Sequence, residues 1–395
     1  MIPIDKDIFE NTAVAFAPKT DGEILKAKWL FSLISNNKLV SIGTSLADLA
    51  LKLHLPIAPI FRITVYQHFC GGETFDECKK TIAKLDENHV FALLNYGVEL
   101  KEEEGDFDKT IERNLEALEF AGKNKDAKVL CVKITGFGRH GLFEKIQEGK
   151  KLSKAESEEY DRVVARLDKL CESASRNDVS IYVDAEESWI QDPLDAMVED
   201  MITKYNSKRA VVFNTLQLYR WDRLDYLHKQ LAAAKSKGFV LGLKLVRGAY
   251  MEKERERAAE KGYKSPIHDD KPAVDVDFDA SMNICLDNLD HIAVCIASQS
   301  EASNMLAIKQ IDAKKIDRKH PHIIFSQLFG MGDNITFNLA RLGFNASKYL
   351  PYGPVKDVIP YLIRRAQENT SVSGQMGREL RLLTTEIERR KKRPS

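Results

Sequence analysis

The sequence predicts an α/β protein, a (β/α)8 TIM-like barrel with an N-terminal helical arm and a C-terminal helix. Eight short apolar segments, rich in β-branched residues, recur between residues 89 and 350. Each is followed by a longer segment of helical periodicity. Such nearly continuous apolar strands are typical of a parallel sheet that is covered on both faces. Eight repeats within about 280 residues fit a closed barrel better than an open doubly wound sheet.

The helical arm is assigned to residues 1–88. Helical periodicity covers residues 21–34 and 45–53, and prolines then interrupt it. A glycine pair at Gly71-Gly72 precedes one more helix, which ends near Leu85. The expected role of this arm is that of a scaffold that clasps the barrel.

The barrel is assigned to residues 89–375. Its predicted strands are 89–96, 127–135, 179–184, 210–217, 239–246, 292–297, 322–327 and 344–350. No G-x-G-x-x-G motif follows the first strand, so a Rossmann dinucleotide site is not indicated. Residues 376–395 are assigned to a C-terminal helix or tail, whose basic end suits a helix C-terminus.

Composition excludes several classes of protein. The 395 residues are 44% hydrophobic and 30% charged, which is typical of a globular chain rather than a disordered one. Lys+Arg and Asp+Glu balance at 59 each, so no global charge attracts nucleic acid. The 6 cysteines form no CxxC pair, which favours reduced thiols over disulfides or a metal site. With no signal pattern and no apolar run of spanning length, we expect a soluble, cytoplasmic protein without a metal.

Polar residues at the ends of the predicted strands suggest where the chemistry lies. Lys133 and Lys244 interrupt apolar strands, where an unpaired ammonium group would be costly. Arg364 and Arg365 lie on the helix after the eighth strand, and their forks suit a carboxylate or phosphate. Glu368 can orient one of the two guanidinium groups through an i,i+3 or i,i+4 ion pair on the same helix. A solvated helix face and structural ion pairs are the alternatives, but the four cations together favour an anion site.

Two neighbouring motifs near the C-terminus are specific: Tyr349-Leu-Pro-Tyr-Gly-Pro354 and Tyr361-Leu-Ile-Arg-Arg-Ala-Gln-Glu-Asn369. Together they closely resemble the C-terminal signature of the proline dehydrogenase family. Three more motifs resemble this family in the same order, namely Tyr182-Val-Asp-Ala-Glu-Glu187, Leu243-Lys-Leu-Val-Arg-Gly-Ala-Tyr250 and Phe329-Gly-Met-Gly332. The segments Asn11-Thr-Ala-Val-Ala-Phe-Ala17 and Leu94-Asn-Tyr-Gly-Val-Glu99 look similar to the monofunctional, eukaryote-like branch. The resemblance therefore covers nearly the whole chain.

The resemblance implies a set of substrate contacts. The implied substrate-binding residues are Lys133, Leu328, Tyr349, Tyr361, Arg364 and Arg365. A substrate carboxylate would be held by Lys133, Arg364 and Arg365. The side chains of Leu328, Tyr349 and Tyr361 would pack on a pyrrolidine ring. Asp184 would orient Tyr349, and Glu99 would pair with an arginine and act as a gate. The implied catalytic residues are Lys133, Asp184, Lys244 and Tyr349.

The same resemblance implies FAD as the cofactor. The implied cofactor-binding residues are Gln217, Lys244, Arg247, Gly248, Gln299 and Glu368. Gln217 and Lys244 would lie beside the flavin ring. Two departures from the family concern the adenosine end: Met251 stands where some relatives have tryptophan, and Ala-Ser-Gln-Ser at 297–300 lacks a histidine of bifunctional relatives.

The reaction implied is the oxidation of L-proline to Δ1-pyrroline-5-carboxylate, the first step of proline catabolism. A hydride would pass from substrate C5 to the flavin and the electrons to a membrane quinone. No side chain can accept a hydride, so the protein's task is to position substrate and cofactor. The chain has no room for an aldehyde dehydrogenase module, so a separate pyrroline-5-carboxylate dehydrogenase is expected downstream. Any contact with the inner face of the cytoplasmic membrane would be peripheral.

Three other functions are compatible with the sequence. The first is a hydroxyproline dehydrogenase, a sister branch that looks to carry a small residue where this chain has Tyr349. The second is a Schiff-base aldolase on the same barrel with Lys133 or Lys244 as the nucleophile. The third is a non-enzymatic anion-binding surface built on the Arg364-Arg365 helix.

Overall fold

Eight parallel strands close into a barrel in the order in which they occur along the chain. The computed structural model describes residues 7–36, 38, 40–41, 43, 53, 57–97, 102–371 and 375–392. Within these ranges, residues 364–371 and 375–376 are described by their backbone alone. The strands β1 to β8 are Val90–Tyr96, Val129–Val132, Ser180–Val183, Val212–Gln217, Leu241–Val246, Ile292–Ala297, Ile323–Leu328 and Ala346–Tyr352. All eight predicted strands are found, and the predicted (β/α)8 fold is confirmed.

The second strand is shorter than predicted. Residues 127–135 form an apolar run, but β2 ends at Val132 because Ile134–Gly136 make a 3-10 turn. The Gly136 amide donates to the Lys133 carbonyl at 3.1 Å and closes this turn. Lys133 thus lies where the strand becomes a loop, which is the position of functional residues in barrels.

The chain divides into two compact units, Leu93–Ser326 and Met1–Ala92 with Gln327–Ser395. In the first unit the helices α3 to α10 follow the strands. They are Glu104–Gly122, His140–Gln147, Lys154–Arg176, Ser188–Tyr205, Arg223–Lys237, Met251–Lys261, Lys271–Asp287 and Glu301–Ala313. Local signals set their ends. Ser153 and Glu156 form a capping box at the start of α5, and Gly238 at φ 75° ends α7 in the left-handed region.

Asn206 connects the beginnings of β4 and β5. Its side chain is fully buried. Its amide nitrogen donates to the carbonyls of Val212 and Val240, at 2.8 and 2.9 Å. Its oxygen accepts from the amides of Val211 and Val212, each at 2.9 Å. This side chain therefore satisfies four backbone groups that the strands leave unpaired at their amino ends.

The second unit contains the arm and the C-terminal helices. Its longer helices are Asp21–Ile34 (α1), Phe75–Asp86 (α2), Asp333–Arg341 (α11), Val355–Ser371 (α12) and Gln375–Lys391 (α13). Apolar side chains from all of these except α2 and α11 share one buried cluster with Met331. Arg390 ties the basic end of α13 to the arm, donating to Asp21 at 2.7 Å and to the Phe16 carbonyl at 2.8 Å.

The helices predicted for the arm are found where the structure describes those residues. Helices are found at 21–34 and from Phe75 to Asp86, whereas residues 45–52 lie outside the described residues. Pro360 lies in the second turn of α12, near enough to its start to be tolerated. In the described part of the chain, no helix has the length and apolarity needed to cross a membrane.

Candidate active site

A buried ion pair joins a lysine within β5 to the acid that directly follows β3. The Lys244 ammonium on β5 contacts the carboxylate of Asp184, which follows β3. Lys244 is 5% exposed and Asp184 is 9% exposed. Burial by itself would lower the pKa of Lys244, but the attraction of Asp184 outweighs it and the pKa lies above its ordinary value. Lys244 is therefore a fixed cation in this site.

Lys133 is the second cation of this candidate site. Val132 pairs with Val183, so Lys133 and Asp184 leave neighbouring strands at equivalent positions. The Lys133 ammonium donates to the hydroxyl of Tyr250 at 3.2 Å. Tyr250 is 7% exposed and follows β5 by four residues. The structure thus brings together groups from the ends of β2, β3 and β5.

Glu186 fixes the turn that follows Lys133. Its carboxylate accepts hydrogen bonds from Thr135, at 3.1 Å from the amide and 2.5 Å from the hydroxyl. Glu186 is 3% exposed. Burial raises the pKa of this carboxyl group to about 7, although Lys133 and the Thr135 hydrogen bonds act in the opposite direction. Both the ionised and the neutral form of this carboxyl group are therefore accessible near neutral pH.

Gln217 links the same loop to the end of β5. Its side-chain nitrogen donates to the Glu186 carbonyl at 2.7 Å, and its oxygen accepts from the Ala249 amide at 3.1 Å. Gln217 is buried, while Gly248 and Ala249 are exposed at the end of a buried strand. The predicted flavin-edge residues Gln217 and Lys244 therefore lie on adjacent strands, β4 and β5.

Arg247, Gly248 and Gln299 are the other described residues predicted to contact FAD in this unit. Arg247 is held by the Asp275 carboxylate at 2.8 Å and by the hydroxyls of Ser298 and Ser303, at 2.7 and 2.9 Å. The Oε1 atom of Gln299 is buried and has no hydrogen-bond partner within the described residues. A buried amide oxygen of this kind calls for a donor. Together with the exposed backbone at Gly248, this set fits a bound cofactor that carries hydroxyl and amino groups.

The loop after β7 is held by buried charges of the second unit. The Asp333 carboxylate contacts the ammonium groups of Lys19 and Lys348, each at 2.7 Å. Burial would raise the pKa of Asp333, but the two lysines hold it well below its usual range. Lys348 also donates to the Met331 carbonyl at 2.5 Å. These contacts fix the backbone next to Leu328, a predicted substrate contact.

The remaining predicted substrate residues lie in the same unit. Leu328 ends β7 and is partly exposed, as is Tyr349 on β8, whose carbonyl accepts from the Phe329 amide at 2.9 Å. Tyr361 is 5% exposed on α12. As predicted, α12 includes Arg364, Arg365 and Glu368. The structure describes only the backbone of these three residues. Glu99 lies outside the described residues.

Two residues of the site were not predicted as individual candidates from the sequence. Tyr250 and Glu186 each belong to a motif that was recognised, but neither was assigned a role. The end of the apolar run at Val246 could have shown that Tyr250 lies beyond the strand, next to other strand ends. Nothing in the sequence could have shown the contact of Glu186, because Thr135 is 51 residues away.

The fold and these contacts define a class of protein first. A (β/α)8 barrel whose lysine and acidic side chains meet at the carboxyl ends of the strands has the architecture of a barrel enzyme. Residues 78–378 match the family model described as proline dehydrogenase. The chain belongs to this family.

Individual relatives agree with this assignment. The chain is 30% identical over 432 residues to "Proline dehydrogenase 2, mitochondrial" of Arabidopsis thaliana, covering 98% of this chain and 88% of that protein. It is 31% identical over 362 residues to "Hydroxyproline dehydrogenase" of Xenopus laevis, covering 83% and 78%. Proline utilization A (PutA) of Bdellovibrio bacteriovorus, solved after inactivation by N-propargylglycine, aligns with a TM-score of 0.72 and 16% identity. That alignment covers 96% of this chain and 42% of the PutA chain, and it bears on the fold alone.

Proposed function

We propose that this protein oxidises L-proline to Δ1-pyrroline-5-carboxylate with FAD and passes the electrons to a quinone. The observation that carries this proposal is the family match over residues 78–378, a range that includes all eight strands. The buried pair of Lys244 and Asp184 supports it, because these two residues come from separate motifs of the family and meet in the structure.

We expect the substrate carboxylate to be held by Lys133, Arg364 and Arg365. Charge-assisted hydrogen bonds of this kind are the strong ones, and an arginine fork also fixes the plane of the carboxylate. The contact of Lys133 with the Tyr250 hydroxyl supports its part in this arrangement, because it holds the ammonium group at the end of β2. Leu328, Tyr349 and Tyr361 would cover the apolar edge of the ring and exclude water from it.

FAD would be held by Gln217, Lys244, Arg247, Gly248, Gln299 and Glu368. When bound, FAD supplies the acceptor for the hydride that no side chain can take. A fixed cation at Lys244 would favour negative charge on the neighbouring ring system. The carboxylate site orients the substrate so that its C5 hydrogen faces the acceptor, and such positioning supplies a large part of the rate. The proton on the ring nitrogen must also leave, and we expect the amine to react in its neutral form.

The electrons would leave through a membrane quinone, reached by peripheral contact with the inner face of the cytoplasmic membrane. The product would be oxidised further by a separate pyrroline-5-carboxylate dehydrogenase. These expectations rest on the family resemblance.

A hydroxyproline dehydrogenase is the second candidate, and the relative from Xenopus laevis favours considering it. Tyr349 argues for proline, because its ring would fill the space next to ring carbon four. The Schiff-base alternative is disfavoured at Lys244. An amine nucleophile of this kind needs a lowered pKa, whereas the pKa of Lys244 is raised by Asp184.

The test is anaerobic mixing of the FAD-loaded protein with L-proline. We expect the visible flavin absorbance to bleach, and trans-4-hydroxy-L-proline to bleach it much more slowly. Lys133→Met should slow the bleaching strongly. Lys128→Met is the matched control, since Lys128 precedes the same strand at its other end and donates to the Gly122 carbonyl at 3.2 Å. A protein that binds no FAD, or bound flavin that proline does not reduce, would disprove the proposal.

A further inference from the structure

Glu186 has no assigned role in the proposed reaction, yet it is the most thoroughly buried acid at the end of β2 and β3. Both carboxylate oxygens accept hydrogen bonds from Thr135. Its amide donates to Gln191 at 2.8 Å, and its carbonyl accepts from Gln217. Every polar atom of Glu186 is therefore bonded, and its position is determined by three other elements of the same unit.

We propose that Glu186 is a positioning residue for Lys133: its carboxyl group holds the turn after this lysine, and the charge on that carboxyl sets how strongly the site binds an anionic substrate. The inference rests on the proposed function, since it takes Lys133 as a ligand of the substrate carboxylate. It adds to that function a residue that controls the affinity.

The hydrogen bonds of Glu186 constrain the backbone next to Lys133. Lys133 begins the 3-10 turn Ile134–Gly136, and Thr135 is the middle residue of this turn. Because Glu186 binds both the amide and the hydroxyl of Thr135, the turn cannot rotate without breaking two buried hydrogen bonds. The direction in which Lys133 leaves β2 is fixed in this way.

Glu186 can change its charge without changing its contacts. The Thr135 hydroxyl can donate to an ionised carboxylate, and it can rotate to accept from a protonated carboxyl group. The Thr135 amide donates to the other oxygen in both states. Burial raises the pKa of Glu186 to about 7, so both states are populated near neutral pH.

The charges that face Glu186 act on its pKa in opposite directions. Lys133 favours its ionised form, and Glu187 on the same loop opposes it. Glu187 is in turn paired with Lys253 at 3.1 Å and lies 3.9 Å from His140. An ionised Glu186 lowers the positive potential at Lys133 and so weakens the binding of a second carboxylate there. A neutral Glu186 does not oppose the attraction between Lys133 and the substrate carboxylate.

The binding of an anion and the ionisation of Glu186 therefore oppose each other, and the coupling is reciprocal. The affinity for a substrate carboxylate should fall as the pH rises through the pKa of Glu186. In return, binding of the carboxylate should raise that pKa, so that the protein takes up a proton from solution when it binds the ligand near neutral pH.

The experiment uses the FAD-loaded full chain and tetrahydrofuran-2-carboxylate, a ring carboxylate with no amine that could titrate. Its dissociation constant is measured from the flavin spectrum, and proton uptake by calorimetry in buffers of different ionisation enthalpy. For the wild type we expect binding to weaken on the order of tenfold between about pH 6 and about pH 8, with proton uptake in between. Glu186→Gln should abolish both the pH dependence and the proton uptake.

Two variants separate this role from a structural one. Thr135→Val removes one hydrogen bond that stabilises the ionised form, so the midpoint of the pH profile should move to higher pH. Glu254→Gln is the matched control: the Glu254 carboxylate accepts from the amide and the hydroxyl of Ser188, at 2.6 and 2.5 Å, in the same arrangement. It should leave the profile unchanged, as should His140→Asn.

The outcomes distinguish the inference from the function on which it rests. If the wild type does not bind the ring carboxylate, or if Lys133→Met binds it equally well, the proposed carboxylate site is wrong and the inference falls with it. If binding depends on Lys133 but the profile is flat, or is the same in Glu186→Gln, only the inference is overturned. A midpoint that His140→Asn removes would overturn it as well, because a different group would then titrate.

Discussion

Removal of one partner of the Lys244–Asp184 pair should destabilise the protein strongly. Lys244→Met keeps the apolar stem and deletes the charge, which leaves the Asp184 carboxylate at 9% exposure without this ammonium group. Breaking a buried pair from one side costs roughly 3 to 5 kcal/mol of unfolding free energy. Asp184→Asn should cost a similar amount for the same reason. The double variant should be more stable than the sum of the two losses predicts, with a coupling of at least about 2 kcal/mol.

Urea unfolding followed by circular dichroism measures these differences, with and without saturating FAD. Lys79→Met is the control for a pair of the same kind in solvent, because Lys79 and Asp76 lie 2.8 Å apart with side chains 55% and 87% exposed. It should change the free energy of unfolding by less than about 1 kcal/mol. Purely additive losses in the double variant would refute the reasoning, because they would mean that the two charges do not stabilise each other. Lys244→Met should also shift the flavin reduction potential or lose the cofactor.

Four further results are expected. Arg364→Ala and Arg365→Ala should each raise KM for proline by roughly tenfold to a hundredfold while FAD stays bound, since a charge-assisted contact is lost. Tyr349→Ser should narrow a preference for proline over 4-hydroxyproline that we expect to be at least about tenfold in kcat/KM, chiefly by weakening proline. Because the pKa of Glu186 rises from 4.5 to about 7 on folding, the folded state binds the extra proton, and stability should fall by roughly 3 kcal/mol as the pH rises across that interval. Asn206→Ala should lower the free energy of unfolding by roughly 3 kcal/mol or more, because four buried backbone groups lose their partner.

Each of these expectations has a measurement and a contrary outcome. Steady-state kinetics with a quinone or dye acceptor test the first two, and unchanged KM in both arginine variants, or equal efficiencies on the two substrates, would contradict them. The pH dependence of stability should flatten in Glu186→Gln, and an unchanged slope would show that another group titrates. Asn88→Ala is the control for Asn206, since Asn88 makes one hydrogen bond to the Lys84 carbonyl at a helix end. Equal losses in these two variants would argue against the role given to Asn206.

The strands could be predicted because each depends on a local pattern. A parallel strand that is buried on both faces must be apolar along its whole length, and this property is visible in a run of six or seven residues such as 292–297, where prediction and structure coincide. The early end of β2 was not visible, since the apolar Ile134 and the β-branched Thr135 follow Lys133 and suggest that the strand continues. Instead of a longer strand, residues Ile134–Gly136 form a turn, which Glu186 holds from a distant part of the chain.

The candidate site was predictable by residue type but not by contact. A lysine inside an apolar strand must find a partner, so Lys133 and Lys244 could be selected from the sequence alone. Which partner each would find could not be read in the same way. Asp184 was expected to orient Tyr349, and this stays a prediction, but the structure also pairs its carboxylate with Lys244, 60 residues further along the chain.

The sequence by itself determined the barrel, the strand ends that carry polar residues, and the family to which these motifs point, because all three are encoded in short segments. Only the tertiary structure decided the electrostatics: that Lys244 is held charged by Asp184, that Lys133 meets Tyr250, and that Glu186 titrates near neutral pH. The physical reason is that a pKa depends on burial and on neighbouring charges, and both arise only when strands far apart in sequence lie side by side.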